Sequence, residues 1–219
     1  MNKIILSERN WRIYHALWLL MVMAIVVDLG AVLMESDLLM SAVATVSAVE
    51  TSDWLSFSSE AVCLLSLSGL FWLLRNGHEV PTRWRNGCLV AFVVTLAYAV
   101  TSKLPTLIFG PLSLDDGHWL VDFFNNCADI LMLLVPATMI ALFMVGASLC
   151  ERVGKWSVAA CCAIAINAPL VVTFLYLSIL EDAEPWQWQV VGVLIMVFFS
   201  IPVIALRAIA TGEDTEQKE

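Results

Sequence analysis

The chain has 219 residues, of which 60% are hydrophobic and only 14% charged, and its mean hydropathy is +0.85. A soluble domain carries about 25% charged residues and leaves much of its surface exposed, so a water-soluble fold of this size cannot hide that apolar excess. The formal net charge of −9 excludes a nucleic-acid binder, because phosphate recognition needs a basic surface.

In chain order, Lys3, Arg9 and Arg12 precede a first apolar run, 13–34, which ends at Glu35. The run is too long for a signal-peptide core of about 7–15 residues, so it reads as a retained crossing. Asp28 lies within it, about 10 Å below the end marked by Glu35 at the rise of a helix. Residues 37–50, "DLLMSAVATVSAVE", set Leu38, Leu39, Ala42, Val43, Val46 and Val49 on one side and predict an amphipathic helix lying at the interface. The second run, 54–74, lies between Asp53 and Arg75. Its Glu60 sits at about the same depth as Asp28, inside the serine-rich "SFSSEAVCLLSLSG", where small residues predict a tight helix-packing face. Consecutive antiparallel helices are normally neighbours, so Asp28 and Glu60 are expected to interact and to hold one shared proton or a cation.

The third run, 87–107, carries Lys103 near its far end, placed to pair with Asp28 or Glu60 or to snorkel to the interface. Residues 104–118, "LPTLIFGPLSLDDGH", contain Pro105, Gly110 and Pro111 and read as a broken or re-entrant connection. Asp122, Asn125, Asn126 and Asp129 follow at spacings of three and four, on one helical face, ahead of the fourth run, 130–150. In the plain reading they form an extramembrane turn or two. A shift of one turn inward brings Asp129 into the bundle. In the fifth run, 156–180, Asn167 lies two residues before Pro169, placed to meet the carbonyl that a helical proline frees. The sixth run, 186–206, precedes Arg207, and the tail 211–219 is polar and acidic and reads as disordered. Pro136 and Pro202 predict kinks in the fourth and sixth runs.

Each run is about 20 residues or longer, enough to cross a hydrocarbon core of about 30 Å. The expectation is an all-α integral membrane protein: one domain over 1–210, a bundle of six transmembrane helices joined by short loops. Alternating six crossings put Lys3, Arg9, Arg12, Arg75, Arg83, Arg85, Arg152, Lys155, Arg207 and Lys218 on one side and leave Lys103 toward the other. The positive-inside rule then predicts cytoplasmic termini in the inner (plasma) membrane. The opposite connections are acidic, with Glu35, Asp37, Glu50, Asp53, Asp115, Asp116, Asp122, Glu181, Asp182 and Glu184, a field that concentrates cations. Trp11, Trp54, Trp84, Trp119, Trp156, Trp186 and Trp188 stand near run ends, where indoles anchor helices at the interface.

The chain contains no nucleotide-binding glycine loop, no H-E-x-x-H and no G-x-S-x-G, and its six cysteines scatter along apolar runs without a C-x-x-C. His15, His78 and His118 fall in separate connections or run ends, so neither a metal site nor a cofactor is expected, and an enzyme is the less favoured reading. Two functions remain. One is a proton- or cation-linked permease or permease subunit, with Asp28, Glu60, Lys103 and Asp129 as site candidates and Asp122, Asn125, Asn126 and Asn167 as secondary ones. Intramembrane ionisable residues are the motive. The other is a non-catalytic accessory, assembly or immunity-type subunit whose polar cluster is structural. The partners expected are the lipid bilayer and other membrane subunits or further copies of the chain.

Overall fold

Ser7 starts the first helix: its carbonyl accepts from the Trp11 N–H at 2.8 Å and its hydroxyl from the Asn10 N–H at 3.4 Å, satisfying donors that a helix start leaves orphaned. Glu8 in the first turn complements the helix dipole and pairs with Arg12 one turn on. The computed structural model describes residues 6–34, 46–77, 80–109, 119–148, 151–179 and 185–210. They form six helices: α1 (Glu8–Met34), α2 (Val46–Arg75), α3 (Thr82–Phe109), α4 (Trp119–Ala147), α5 (Glu151–Ile179) and α6 (Pro185–Ala210). All six are long and apolar enough to cross a membrane.

Each helix packs against its neighbours in sequence, and α1 packs against α6, so the chain closes on itself. Named contacts fix the sense of packing. Tyr14 Oη donates to the Leu206 carbonyl at 2.8 Å, and Trp18 Nε1 to the Val203 carbonyl at 3.0 Å, tying the start of α1 to the end of α6. A Cβ on Gly69 would stand 2.8 Å from Leu17 Cδ1, so the missing side chain lets α2 close on α1. Gly87 lies against Leu142, and Gly146 lies against both Trp84 and Ser157, joining α3, α4 and α5 at the same end. That end gathers Arg9, Arg12, Arg75, Arg83, Arg85, Lys155 and Arg207. Arg75 and Arg207 lie over the Trp72 and Trp18 rings, at 5.0 and 4.3 Å.

Several sequence expectations change. Residues 46–50, expected to close an interfacial helix, are the first turns of α2, and the rest of that segment lies outside the described residues. Pro105 does not break the chain: α3 runs through it to Phe109, while 110–118 lie outside the described residues. Proline removes one backbone donor there. In the turn before it, Thr101 and Ser102 turn their hydroxyls back onto the Ala97 and Tyr98 carbonyls at 2.9 and 2.7 Å, back-bonding that accompanies helix bending. Trp84, expected at an interface, is fully buried among α3, α4 and α5. The polar face ahead of the fourth run is continuous with it, since α4 starts at Trp119. The tail 211–219 lies outside the described residues.

Candidate functional site

Asp28 is 7% exposed, near the C-terminal end of α1, in a bundle whose interior is otherwise mostly hydrocarbon. A carboxyl group there needs hydrogen-bond partners, because an unpaired polar group out of water costs several kcal/mol (about 2–7). α2 supplies them. Ser56 Oγ lies 3.0 Å and Ser59 Oγ 3.1 Å from Asp28 Oδ1, so two hydroxyls one turn apart converge on one carboxyl oxygen. Ser59 is also 2.9 Å from the Ser56 carbonyl, and its single proton serves one acceptor at a time. Serine is short enough to leave the helices close while reaching across the contact.

One turn beyond Ser56 on α2, Glu60 forms an ion pair with Lys103 of α3. The Glu60 side chain is 47% exposed and that of Lys103 only 16%. The ammonium also stands 5.5 Å from the Phe57 ring centroid. Glu60 and Lys103 both lie within electrostatic reach of Asp28, and Cys63 lies within reach of both carboxyls. α1, α2 and α3 thus place two acids and one base at one level.

The belt continues onto α4. Tyr98, one turn before Ser102 on α3, lies within electrostatic reach of both Glu60 and Asp129. The antiparallel pairings of Trp84 with Gly146 and Gly87 with Leu142 put Asn125 and Asn126 about level with Lys103. Asp122, Asn125, Asn126 and Asp129 are all exposed on the bundle surface. Asn167 departs from the belt. It does not turn back to the carbonyl freed by Pro169. It faces α6, and with its amide oriented to satisfy both neighbours its Nδ2 donates to the Ile195 carbonyl at 3.3 Å and its Oδ1 accepts from the Phe199 N–H at 3.2 Å, bridging one rung of that helix.

Sequence spacing placed Asp28, Glu60 and Lys103 together in depth, and it read the serines as a tight packing face whose hydroxyls can bond across the contact, but it did not assign them to Asp28 and passed over Tyr98 and Phe57. The signal for the serines was present: Ser56, Ser59, Glu60 and Cys63 repeat at three and four residues, the period of one helix face.

Chemically, the groups bonded to Asp28 are oxygens, the ligand type of a proton or a hard cation. With both carboxyls ionised and Lys103 protonated, the cluster carries one uncompensated negative charge, which one monovalent cation or one proton neutralises. Among the described residues, no group of three or more His, Cys, Asp and Glu side chains is gathered as a metal site. Comparison with protein-family models, with curated proteins and with solved structures found no match.

Proposed function

We propose that the protein is a multi-pass protein of the plasma membrane, with cytoplasmic termini, that moves or senses a proton or a monovalent cation through Asp28. The observation that carries this reading is the odd charge of the cluster: a buried carboxyl held by two hydroxyls, beside a Glu60–Lys103 pair already complete in itself. A purely structural site has no need of a second acid with no base of its own. A carboxyl retained at such depth is costly, and proton and ion pathways are where such groups are found.

Orientation rests on the gathering of basic residues at one end of the bundle, which the positive-inside rule assigns to the cytoplasm. The acidic connections then fall on the outer side, where their charge attracts cations.

One observation favours the accessory-subunit reading: the Glu60–Lys103 pair and the serine bonds to Asp28 are complete inside one chain, as in a cluster that fixes helix pairing. Reconstitution separates the two. Purified protein in liposomes should carry proton or Na+ flux above that of empty liposomes when a gradient of either is imposed. Absence of flux under both gradients would favour the accessory reading.

A further inference from the structure

The candidate cation site has a positive charge tethered beside it, on the neighbouring acid. Lys103 reaches from α3 to Glu60 and passes over the Phe57 ring. Ser56, which holds Asp28, and Glu60 are four residues apart on α2, so their side chains share a face with Cβ atoms about 5–6 Å apart. Asp28 and Glu60 are therefore two carboxyl stations along one face of one helix. The ammonium of Lys103 lies within electrostatic reach of the first while paired with the second. Lysine carries a compact charge on a flexible four-carbon stem, and the Phe57 ring offers that charge a favourable face beside Glu60. Ser56 and Ser59, which both bond Asp28, lie four residues and one residue before Glu60, so a movement within one helical turn, about 5.4 Å, would take the ammonium from Glu60 to Asp28.

We propose that Lys103 is a tethered competitor for the cation at Asp28. It pairs with Glu60 while a free monovalent cation or a proton neutralises Asp28, and it crosses to Asp28 when that charge leaves. The inference rests on the reading of Asp28 as a cation site. Its value to a carrier is that the empty site does not stand as an unpaired buried carboxylate, which is strongly destabilising. Glu60 is then the resting station that holds Lys103 away from the site, rather than a ligand of the cation.

The roles give opposite signs to two substitutions in one pair. In Glu60→Gln, Asp28 is the carboxylate that remains in the α1–α2–α3 cluster among the described residues, so Lys103 moves to it and the free cation is excluded although Asp28 and both serines are intact. In Glu60→Gln/Lys103→Gln the competitor is gone and binding returns. The measurement is thermal unfolding of the purified full chain in detergent, against Na+ with choline as replacement at fixed pH, and against proton concentration in choline alone. Among the described residues, the titratable or charged groups facing Asp28 are Glu60 and Cys63 from α2, with Lys103 from α3, and Tyr98 joins them through Glu60. α6, which also packs on α1, carries one charged residue, Arg207, at the opposite end.

Wild type should be stabilised by Na+ or by protons, and Asp28→Asn should abolish the response. Glu60→Gln should raise the half-stabilising concentration at least about tenfold, since a full charge a few ångströms away outweighs that factor. The double variant should return to within about threefold of wild type, its two charge changes nearly cancelling at Asp28. If Glu60→Gln is not recovered folded, Lys103→Gln carries the test, with a half-stabilising concentration at least about tenfold below wild type. A wild type that answers neither cation, or whose response survives Asp28→Asn, overturns the cation-site reading and this inference with it. A response that needs Asp28 but is unchanged in Glu60→Gln, or not restored in the double variant, overturns the tethered competitor alone. So does an unchanged or raised concentration in Lys103→Gln.

Discussion

At Gly146 an added Cβ would stand 2.9 Å from both Ser157 Oγ and the Trp84 ring, whereas at Gly30 it would meet nothing within 4 Å. Trp84 is fully buried and its indole is rigid, so the neighbour cannot yield cheaply. Gly146→Ala should therefore cost about 1–3 kcal/mol as an overpacked contact. Gly30→Ala should be neutral or stabilising by up to about 1 kcal/mol, through helix propensity alone. Thermal or denaturant unfolding in detergent checks both, and equal effects at the two glycines would contradict the packing described for the basic end. At this scale the sequence was legible in depth and blind in rotation. Helical rise placed Asp28, Glu60 and Lys103 at one level, but rise does not say which way a side chain turns. Asn167 was expected to answer Pro169 on its own helix, and it faces α6 instead. Trp84 looked like the other run-end indoles, and only the meeting of α3, α4 and α5 buries it.

The helices themselves were legible, because hydrocarbon length imposes a minimum run of apolar residues that no soluble pattern imitates. Their ends were less so. α4 begins at Trp119, earlier than the apolar run at 130, because adding residues to a formed helix is far cheaper than nucleating one, so the small propensity cost of Asp122, Asn125, Asn126 and Asp129 does not end it. Pro105 was read as a break because proline removes a backbone donor, yet α3 continues, with hydroxyls in the preceding turn bonded to its carbonyls. The contact between α5 and α6 gives an element-scale expectation. Asn167 bridges a rung whose Phe199 N–H and Ile195 carbonyl are already helix partners, so its bonds add to a ladder rather than replace one. Side-chain hydrogen bonds between such helices are worth about 0.6 kcal/mol on average and about 1.7 at most. Asn167→Leu should accordingly lower stability by less than about 2 kcal/mol and leave any flux intact. Loss of flux with stability preserved would move Asn167 into the site.

For the whole molecule, the proposed orientation makes a labelling pattern. With native cysteines removed, cysteines placed at Arg83 and Arg152 should be shielded from a membrane-impermeant thiol reagent added outside intact cells. Cysteines at Asp115 and Asp182 should react. The reversed pattern would overturn the cytoplasmic termini and the acidic outer side together, because both follow from the same segregation of charge. The closed order of packing, with α1 against α6, was not legible in the sequence. It depends on Tyr14 and Trp18 reaching carbonyls near the end of α6, more than 180 residues away in the chain, and no local pattern carries that pairing. Closure packs α1 against both α2 and α6.

The proposed handling of a proton or a monovalent cation depends on the charge of the buried Asp28 carboxyl. Asparagine preserves its size and hydrogen-bonding capacity while removing its charge, so Asp28→Asn should spare the fold. Wild type and Asp28→Asn, reconstituted at equal density in liposomes with an entrapped pH dye, are compared under an imposed proton gradient and, in parallel, for Na+ uptake. Wild type should carry one of the two fluxes, and Asp28→Asn neither, while retaining wild-type helix content and recovery. Equal flux from the two proteins would contradict that dependence.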